Sequence, residues 1–342
     1  MDRSARLTLL AGLPADEQQR LRAGPPPDWV APTLATLTDR RFSDPRWLYE
    51  RKLDGERCLA FVTGGDVALW SRNRKALDGT YPEIVDALAD QDGDWIVDGE
   101  VVALYRGQTS FSRLQQRMGI TDPVVARRSP VAVVYFVFDL LRLDGFDTTG
   151  LPLRTRKSLL RKIVRFDGPL RFTTHRNGDG EAYYATACAR GWEGVIAKRA
   201  GGRYRPGRSP EWLKFKCAAG QELVVGGFTD PSGSRTGFGA LLVGYYRDGE
   251  LVYAGKVGTG YDERTLTSLR CRLDELVVAR SPFARAGGPT ERAHWVRPEL
   301  VGQFGFAEWT DDGKLRHPRF LGLRDDKAPG DVVRERPSGA RP

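Results

Sequence analysis

The first candidate for chemistry is a lysine at a predicted strand end, within the segment Glu50-Arg51-Lys52-Leu53-Asp54-Gly55-Glu56-Arg57. A lysine side chain attacks only in its neutral amine form, after the ammonium has lost a proton. Neighbouring cations, a bound metal or burial lower the lysine pKa and so favour this form. Gly55 would let the backbone approach a ligand closely. Arg57 can hold a phosphate or a ribose through paired hydrogen bonds. Lys52 is therefore a candidate nucleophile, although this residue pattern also occurs in ordinary surface turns.

Two further segments place carboxylates among apolar strand residues. One is Asp98-Gly99-Glu100, and the other is Glu193-Gly194-Val195-Ile196-Ala197-Lys198-Arg199. A carboxylate buried in a strand needs a hydrogen bond or a metal, and a ribose hydroxyl or Mg²⁺ would satisfy it. Strand alternation predicts Glu193 and Val195 on one face and Lys198 on the other. A hairpin turn and a plain amphipathic strand are the alternative interpretations.

A pair of lysines marks a possible phosphate site in Trp212-Leu213-Lys214-Phe215-Lys216. Residues two apart share a strand face, and two like charges there are unfavourable unless an anion lies between them. A solvated edge strand is the alternative. Nearer the end, the chain carries Arg316-His317-Pro318-Arg319-Phe320 and Arg324-Asp325-Asp326-Lys327, which also fit a polar loop.

Lysine is scarce in this chain, with 10 lysines against 43 arginines among 53 basic residues. Windows 50–57, 193–199, 212–216 and 324–327 hold five of the ten, where uniform scatter would place fewer than one. The five are Lys52, Lys198, Lys214, Lys216 and Lys327. Either residue serves as a surface charge, but lysine can also act as an amine nucleophile or a compact phosphate ligand. The distribution favours such roles for these five.

The elements between these segments predict two domains. A hairpin is predicted from 59–63 and 67–70, and helices over 82–88, 110–118, 154–164 and 181–190, which gives an α+β domain. Strands at 222–228, 240–246, 251–257 and 296–309, with one helix at 263–278, suit a β-barrel of the OB type. We expect a lead-in over 1–27, the first domain over 28–219, the barrel over 220–330 and a disordered tail over 331–342.

Composition narrows the class of protein. A length of 342 residues favours two domains, and the net charge of +9 suggests a polyanionic partner. The basic excess lies in residues 1–217, with 35 basic against 27 acidic residues, whereas the remainder has 18 against 17. No apolar run is long enough to span a bilayer, and no signal segment is visible. Four scattered cysteines argue against a zinc site or a disulfide framework and fit a reducing cytoplasm.

The order of these segments resembles the motif order of the nucleotidyltransferase superfamily of ATP-dependent DNA ligases, over about residues 34–328. The matching segments are Lys52-Leu53-Asp54-Gly55-Glu56-Arg57, Ser71-Arg72-Asn73, Asp98-Gly99-Glu100, Phe138-Asp139-Leu140-Leu141, Glu193-Gly194-Val195-Ile196-Ala197-Lys198, Trp212-Leu213-Lys214-Phe215-Lys216 and Arg324-Asp325-Asp326-Lys327. The resemblance implies an adenylation domain built on antiparallel sheets, followed by an OB-fold barrel.

The resemblance also implies roles for single residues. Lys52 becomes adenylated by ATP, Phe138 stacks on adenine and Glu50 accepts a hydrogen bond from the adenine amino group. Glu100 and Glu193 hold Mg²⁺ or Mn²⁺ together with phosphate oxygens. The other nucleotide or phosphate contacts that it implies are Arg51, Asp54, Arg57, Arg72, Lys198, Lys214, Lys216 and, in the first step, Arg324 and Lys327.

Finer segments are similar to those of bacterial end-joining ligases, either the ligase part of the multifunctional protein or a stand-alone relative. They are Tyr204-Arg205-Pro206-Gly207-Arg208-Ser209, Val225-Gly226-Gly227-Phe228-Thr229, Gly255-Lys256-Val257-Gly258-Thr259-Gly260 and Leu315-Arg316-His317-Pro318. This subgroup implies nicked or broken duplex DNA as substrate and a Ku-type end-binding protein as partner. We expect a cytoplasmic monomer of bacterial origin that joins the nucleoid during repair and has no membrane contact.

Three other functions are compatible with part of the pattern. An mRNA-capping guanylyltransferase shares the lysine–nucleotide chemistry and both domains, and an RNA ligase shares the chemistry. A non-catalytic OB protein that binds nucleic acid would explain the basic charge. It would not explain the combination of Lys52, Glu193 and the Lys214/Lys216 pair.

Overall fold

The structure is a computed structural model that describes residues 1–105, 107–217, 220–231, 236–284 and 293–335. The chain folds into two compact units, and the division between them falls between Cys217 and residue 218. This lies two residues before the predicted domain boundary. Each unit has its own apolar core, so each is described by itself.

The first unit mixes helices with strands, as the α+β prediction requires. Its helices are α1 (Arg3–Ala11), α2 (Ala15–Gln18), α3 (Pro82–Ala89), α4 (Phe111–Gln115), α5 (Pro123–Arg127), α6 (Leu153–Ile163) and α7 (Gly180–Ala189). Its strands are β1 (Arg22–Ala23), β2 (Thr33–Leu37), β3 (Trp47–Lys52), β4 (Glu56–Thr63), β5 (Asp66–Ser71), β6 (Trp95–Tyr105), β7 (Gln108–Thr109), β8 (Val133–Leu143), β9 (Phe146–Asp147), β10 (Leu170–Phe172), β11 (His175–Asn177), β12 (Gly194–Arg199) and β13 (Gly207–Lys216).

The larger sheet of this unit has the order β1-β9-β8-β6-β4-β5, with β7 paired to β6 and β10 to β8. The predicted hairpin is confirmed: Thr63 pairs with Asp66 across Gly64 and Gly65, both of which have positive φ angles. Such two-residue loops match the twist of the joined strands. One face of the sheet buries the main core, which includes Trp95, Tyr135 and side chains of α3 and α6.

The smaller sheet has the order β11-β3-β12-β13-β2 and carries most of the predicted site segments. One face packs Tyr49, Val195 and Phe215 against α7. A further apolar cluster joins the two sheets: Leu59 and Phe138 come from the larger sheet, and Trp212 from the smaller. The two sheets therefore meet across this cluster, beside the lysine and carboxylate segments.

The second unit is the predicted OB-fold barrel. Its elements are β14 (Gly220–Thr229), β15 (Leu241–Arg247), β16 (Glu250–Val257), α8 (Glu263–Asp274), β17 (Val277–Val278), β18 (Ala293–Val296), β19 (Val301–Gly305), β20 (Glu308–Trp309), β21 (Leu315–Arg316) and β22 (Arg319–Leu323), followed by a 3₁₀ turn at Pro329–Asp331. The long strand β14 pairs with β15 along one edge and with β19 and then β18 along the other. One strand that bends across several neighbours is how a small sheet closes on itself.

Three details differ from the sequence predictions. The strand expected over 296–309 is divided among β18, β19 and β20, and the helix expected to reach residue 278 ends at Asp274. Residues 331–335, the first part of the tail expected to be disordered, are instead ordered, because Val332 is buried in the second core and its carbonyl accepts a hydrogen bond from the Tyr246 amide. The rest of that predicted tail, 336–342, lies outside the described residues.

The cysteine prediction is wrong for one pair. Cys188 in α7 and Cys217 after β13 form a disulfide, although they are 29 residues apart in sequence. Spacing alone does not reveal the pair, because it is the packing of α7 on β12 and β13 that brings the two residues together. Cys58 and Cys271 are free thiols. Among the described helices, none is both long and apolar enough to cross a bilayer.

Candidate active site

The inner face of the smaller sheet is defined by strand alternation. In β3, Trp47 and Tyr49 point into the core beneath α7, so Glu50 and Lys52 point to the opposite face. The register pairs Glu50 with Ile196 and Lys52 with Gly194 on the neighbouring strand β12. Strand alternation thus places the nucleophile candidate and the predicted adenine-binding carboxylate on one face of the sheet.

Lys52 lies in an acidic environment. Its Nζ is 2.5 Å from Glu193 Oε2, and both side chains keep some exposure, 19% and 27%. Burial lowers the pKa of Lys52, but the ion pair with Glu193 and the charges of Asp54 and Glu100 outweigh burial and raise it. These carboxylates therefore keep Lys52 in its ammonium form.

Glu193 reaches Lys52 because it precedes the regular part of β12. Gly194 has a φ of 151°, and a Cβ at this residue would lie 1.9 Å from the Phe215 carbonyl oxygen. Alternation holds for Val195 and Ala197, which are buried on the outer face, but it does not extend to Glu193. The predicted face of Glu193 is thus wrong, because the backbone turns at a glycine.

Gly55 has a different role from the one predicted. A Cβ at this position would lie 2.2 Å from the Val101 carbonyl oxygen and 3.0 Å from Cγ of Glu100. The glycine therefore lets the turn after Lys52 pack directly on strand β6. It brings Lys52 towards Glu100 and does not itself provide room for a ligand.

Arg57 is fixed by the motif around Asp98. Its Nε and Nη2 donate to the two Asp98 carboxylate oxygens, each at 2.5 Å, and Nη2 also donates to the Thr33 carbonyl. The Tyr204 hydroxyl donates to Asp98 Oδ2 at 2.6 Å. Glu100 pairs with Arg57 in the strand register, so both side chains lie on the same face of the larger sheet.

Phe138, the predicted adenine-stacking residue, lies at the junction of the two sheets. Its ring contacts the Trp212 ring edge-on, with 6.0 Å between centroids. Lys198 Nζ lies 4.0 Å from both ring centroids, and Arg57 Cζ lies 4.8 Å from that of Phe138. Cations over ring faces stabilise such an arrangement. Burial lowers the pKa of Lys198 to about 8.

Lys157 is a site residue that sequence reasoning missed. It lies in α6 with 1% of its side chain exposed, and its Nζ donates to Glu50 Oε1 at 2.5 Å and to the Thr173 carbonyl at 2.9 Å. Lys198 binds the other Glu50 oxygen at 2.6 Å. Burial raises the pKa of Glu50, but the two lysines more than offset this and lower it. Glu50 is thus held ionised.

The structure separates the remaining predicted residues into four groups. Lys214 and Lys216 pair with Ile196 and Gly194, which places both on the inner face. Asp54 and Arg72 are half-buried, in the turn after β3 and directly after β5. Arg51 points to the outer face, where its Cζ lies 4.6 Å from the Trp192 ring centroid. Alternation should have excluded Arg51, because adjacent strand residues point in opposite directions.

The last group, Arg324 and Lys327, belongs to the second unit. Arg324 binds the Asp326 carboxylate through two hydrogen bonds of 2.8 Å. Lys327 Nζ lies 3.4 Å from Glu222 Oε2, on β14 of the same unit. The two cations are thus placed by carboxylates of the barrel itself.

The donor set suits a divalent ion shared with a ligand. Among the described residues, no three His, Cys, Asp or Glu side chains cluster closely enough to enclose a metal. Glu100 and Glu193 are both close enough to Lys52 to raise its pKa. Mg²⁺ is commonly held by one or two carboxylates together with substrate phosphates.

Comparison with known proteins agrees with this geometry. Residues 32–216 match the family described as ATP dependent DNA ligase domain, and residues 234–327 match ATP dependent DNA ligase C terminal region. The chain is 38% identical over 330 residues to the multifunctional non-homologous end joining protein LigD of Pseudomonas aeruginosa, covering 93% of this chain and 38% of that protein. It is 39% identical over 320 residues to its namesake from Mycobacterium bovis, covering 90% and 40%.

Among solved structures, a mycobacterial DNA ligase D complexed with ATP and MES is 36% identical, with a TM-score of 0.64. The match covers 89% of this chain and 98% of that one. The chain spans about two fifths of the length of the two curated relatives.

Proposed function

The chain belongs to the family of ATP-dependent DNA ligases, and we propose that it seals 5′-phosphate/3′-hydroxyl breaks in duplex DNA through a covalent Lys52–AMP intermediate. One observation carries the residue assignment. Lys52 Nζ lies 2.5 Å from Glu193, on the sheet face that also carries Glu50, Lys214 and Lys216. A single amine beside carboxylates and two further ammonium groups suits attack on a nucleotide phosphate.

The proposed reaction has three balanced steps. Lys52 Nζ forms a bond to the α-phosphorus of ATP as the bond to pyrophosphate breaks, and the lysine proton is released to solvent. An oxygen of the DNA 5′-phosphate then takes the AMP and returns Lys52 to its amine form. Finally the 3′-hydroxyl oxygen forms a bond to that phosphorus as the bond to AMP breaks, and the hydroxyl proton is released to solvent. Such transfers depend mainly on in-line positioning and charge stabilisation.

Residues of the two sheets have different roles in these steps. Lys214 and Lys216 would stabilise the α-phosphate, and Phe138 with Glu50 would position the adenine. Glu100 and Glu193 would hold Mg²⁺ or Mn²⁺, and the bound ion would supply charge neutralisation at the phosphates. An ion on these two carboxylates would also neutralise two of the three charges that raise the pKa of Lys52.

The first test is covalent labelling. The protein is incubated with α-labelled ATP, GTP or NAD and Mg²⁺, then separated under denaturing conditions. We expect label from ATP only, lost in Lys52→Ala and retained in Lys162→Ala, an exposed lysine of α6. Label from GTP would support a capping guanylyltransferase instead. Absence of label with every nucleotide, for protein shown by mass spectrometry to carry no AMP, would refute the assignment.

The acceptor strand is tested separately. Labelled enzyme is mixed with duplex DNA carrying one nick, with an all-RNA nick of the same sequence, and with duplex ends. Sealing of the DNA nick supports the ligase proposal, whereas sealing confined to RNA would support an RNA ligase.

We further propose an end-joining role with a Ku-type partner, as a cytoplasmic monomer. Stimulation of end sealing by such a partner tests the end-joining role, and gel filtration tests whether the protein is a monomer.

A further inference from the structure

A cavity of about 390 Å³ lies on the first unit, and its lining includes none of the residues assigned to the nucleotide in the proposed reaction. It is formed by the end of the N-terminal segment, β9 and the loop between β12 and β13, and its lining residues are Gln19, Arg20, Arg22, Asp147, Thr149, Gly150, Arg203, Tyr204 and Arg205. The loop belongs to the segment that is similar to end-joining ligases, and the proposed chemistry assigns it no role.

The charge of this cavity is strongly positive, with four arginines against one aspartate. Among the described residues, Arg22 and Arg203 form no ion pair and no side-chain hydrogen bond, even though Arg22 pairs with Asp147 in the strand register. Arg205 Nε lies 3.9 Å from Glu211 Oε2, and Arg20 is paired with Asp16 at 3.0 Å. Guanidinium groups that outnumber the carboxylates around them repel one another unless an anion joins them, and their planar donors suit phosphate oxygens.

A second cavity of about 360 Å³ adjoins the first and differs in character. The two share Arg22, Asp147, Thr149 and Tyr204, and the second adds mainly apolar and ring-bearing residues, namely Pro25, Pro27, Trp29, Val30, Ile96, Leu141 and Pro206. A cationic cavity beside an apolar one matches a nucleotide unit, with its phosphate in the first and its sugar and base in the second.

Tyr204 connects these cavities to the proposed active site. Its side chain is buried, and its hydroxyl donates to Asp98, the carboxylate that holds Arg57. The backbone amide of Thr33 donates to the same hydroxyl at 3.2 Å. Residues that line the cavities are therefore rigidly linked to the sheet that presents Arg57.

We propose that the arginine cavity binds a backbone phosphate of the DNA substrate, and that the adjoining cavity takes the sugar and base of the same nucleotide. The inference rests on the proposed ligase function and adds a strand-anchoring site that is separate from Lys52. Free phosphate has the same chemistry, so the experiment must separate the two sources.

The test measures DNA affinity as a function of salt concentration, using full-length protein, nicked duplex and no ATP. Each phosphate contact contributes about 0.9 to the slope of log K against log salt. Arg22→Ala/Arg203→Ala should lower that slope by about two and weaken nick sealing at moderate salt. Label transfer from ATP to Lys52, which needs no DNA, should stay within twofold of wild type.

Two controls define the outcome. Arg127→Ala/Arg165→Ala removes two exposed arginines that are paired with Asp86 and with Asp90 and Asp167, and it should leave the slope unchanged. Trp29→Leu should weaken binding at a constant slope, because stacking involves no counterion release. Equal slopes for the Arg22/Arg203 variant and wild type overturn the proposal. The proposal is also overturned if inorganic phosphate inhibits nick sealing by the wild type but not by the Arg22/Arg203 variant while both bind DNA equally. The cavity would then bind free phosphate and not the DNA backbone. A wild type that neither binds nor seals DNA would refute the ligase function itself.

Discussion

At the scale of single residues, Lys52 lies where the nucleophile is proposed to act, but its side chain is protonated. Glu193, Asp54 and Glu100 raise its pKa against the opposing effect of burial. An ammonium has no lone pair, so the first step must begin by changing the charge around Lys52. Two of the carboxylates that suppress the amine, Glu193 and Glu100, are also those proposed to receive the metal. Binding of metal and ATP would thus couple assembly of the site to activation of the nucleophile.

This coupling predicts the pH dependence of self-adenylylation. Because the folded protein raises the pKa of Lys52, the reactive amine is a minor species at neutral pH and grows with rising pH. The single-turnover rate should increase with a slope of about one in log rate against pH, from roughly pH 6 to 9. Raising the Mg²⁺ concentration should move the curve to lower pH. A flat profile, with chemistry shown to limit the rate, would contradict the protonated resting state.

Lys157 is predicted to act as a positioning residue for the base. Its Nζ donates to Glu50 and, at 3.4 Å, to the Phe138 carbonyl, so it links the two residues assigned to adenine. Lys157→Met should raise the KM for ATP about tenfold or more, the effect of losing one charge-assisted hydrogen bond, with a smaller change in kcat. It should also weaken discrimination against GTP.

The control for Lys157 is Lys162→Met, an exposed lysine of the same helix. Circular dichroism melting will show whether each variant is folded at the assay temperature. A fall in the maximal rate of label transfer from ATP, with KM unchanged and still no label from GTP, would mean that Lys157 supports only the fold.

The residue types and spacing predicted Lys52, Glu100, Glu193 and the Lys214/Lys216 face, and the structure places Lys52 beside Glu193 and on the same sheet face as the two lysines. The same patterns did not predict Lys157, because the composition of α6 is typical of a helix with an exposed basic face. Its burial depends on Glu50, 107 residues away in sequence. Local patterns carry information about strand faces, whereas ion pairs across such separations depend on tertiary packing.

At the scale of elements, the regular helices and the hairpin followed from periodicity and turn residues. Two strand pairings could not be predicted in this way: β2 pairs in parallel with β13, and β10 pairs in parallel with β8. Short strands such as β10, with three residues, carry too little pattern to be recognised and gain their structure from the sheet edge they join. The same dependence on packing explains why the Cys188–Cys217 pair was not predicted.

That disulfide is predicted to stabilise the first unit. It closes a loop of 29 residues that contains β12 and β13, and Cys217 N–H also donates to the Glu193 carbonyl. Closing a loop of this size in the unfolded chain is worth about 3–4 kcal/mol. Cys188→Ser/Cys217→Ser, or wild type with reductant, should lose about this much unfolding free energy in urea.

The matched variant is Cys271→Ser, which changes an exposed free thiol of the second unit. It should leave the unfolding transition of the first unit unchanged. If reductant does not alter the urea midpoint of wild type, the two thiols are not joined in solution.

At the scale of the whole molecule, the residues proposed to act in the reaction are divided between two units with separate cores. The first carries Lys52 and the proposed nucleotide contacts, and the second carries Arg324 and Lys327. A reaction in three steps can use such a division, since only the first step releases pyrophosphate. The family resemblance assigns Arg324 and Lys327 to that step.

This division predicts a defect confined to one step. Lys327→Ala should slow transfer of label from ATP to Lys52 tenfold or more, because a cation that stabilises the leaving pyrophosphate is lost, and such groups are commonly worth about 10²–10³ in rate. Sealing of a nicked duplex that already carries a 5′-adenylate should stay within twofold of wild type, since no pyrophosphate leaves. Lys256→Ala, an exposed lysine of the same unit, should affect neither rate. If Lys327→Ala slows both reactions equally, the lysine supports DNA binding or the fold of the barrel through Glu222, and the proposed division of labour between the units is wrong.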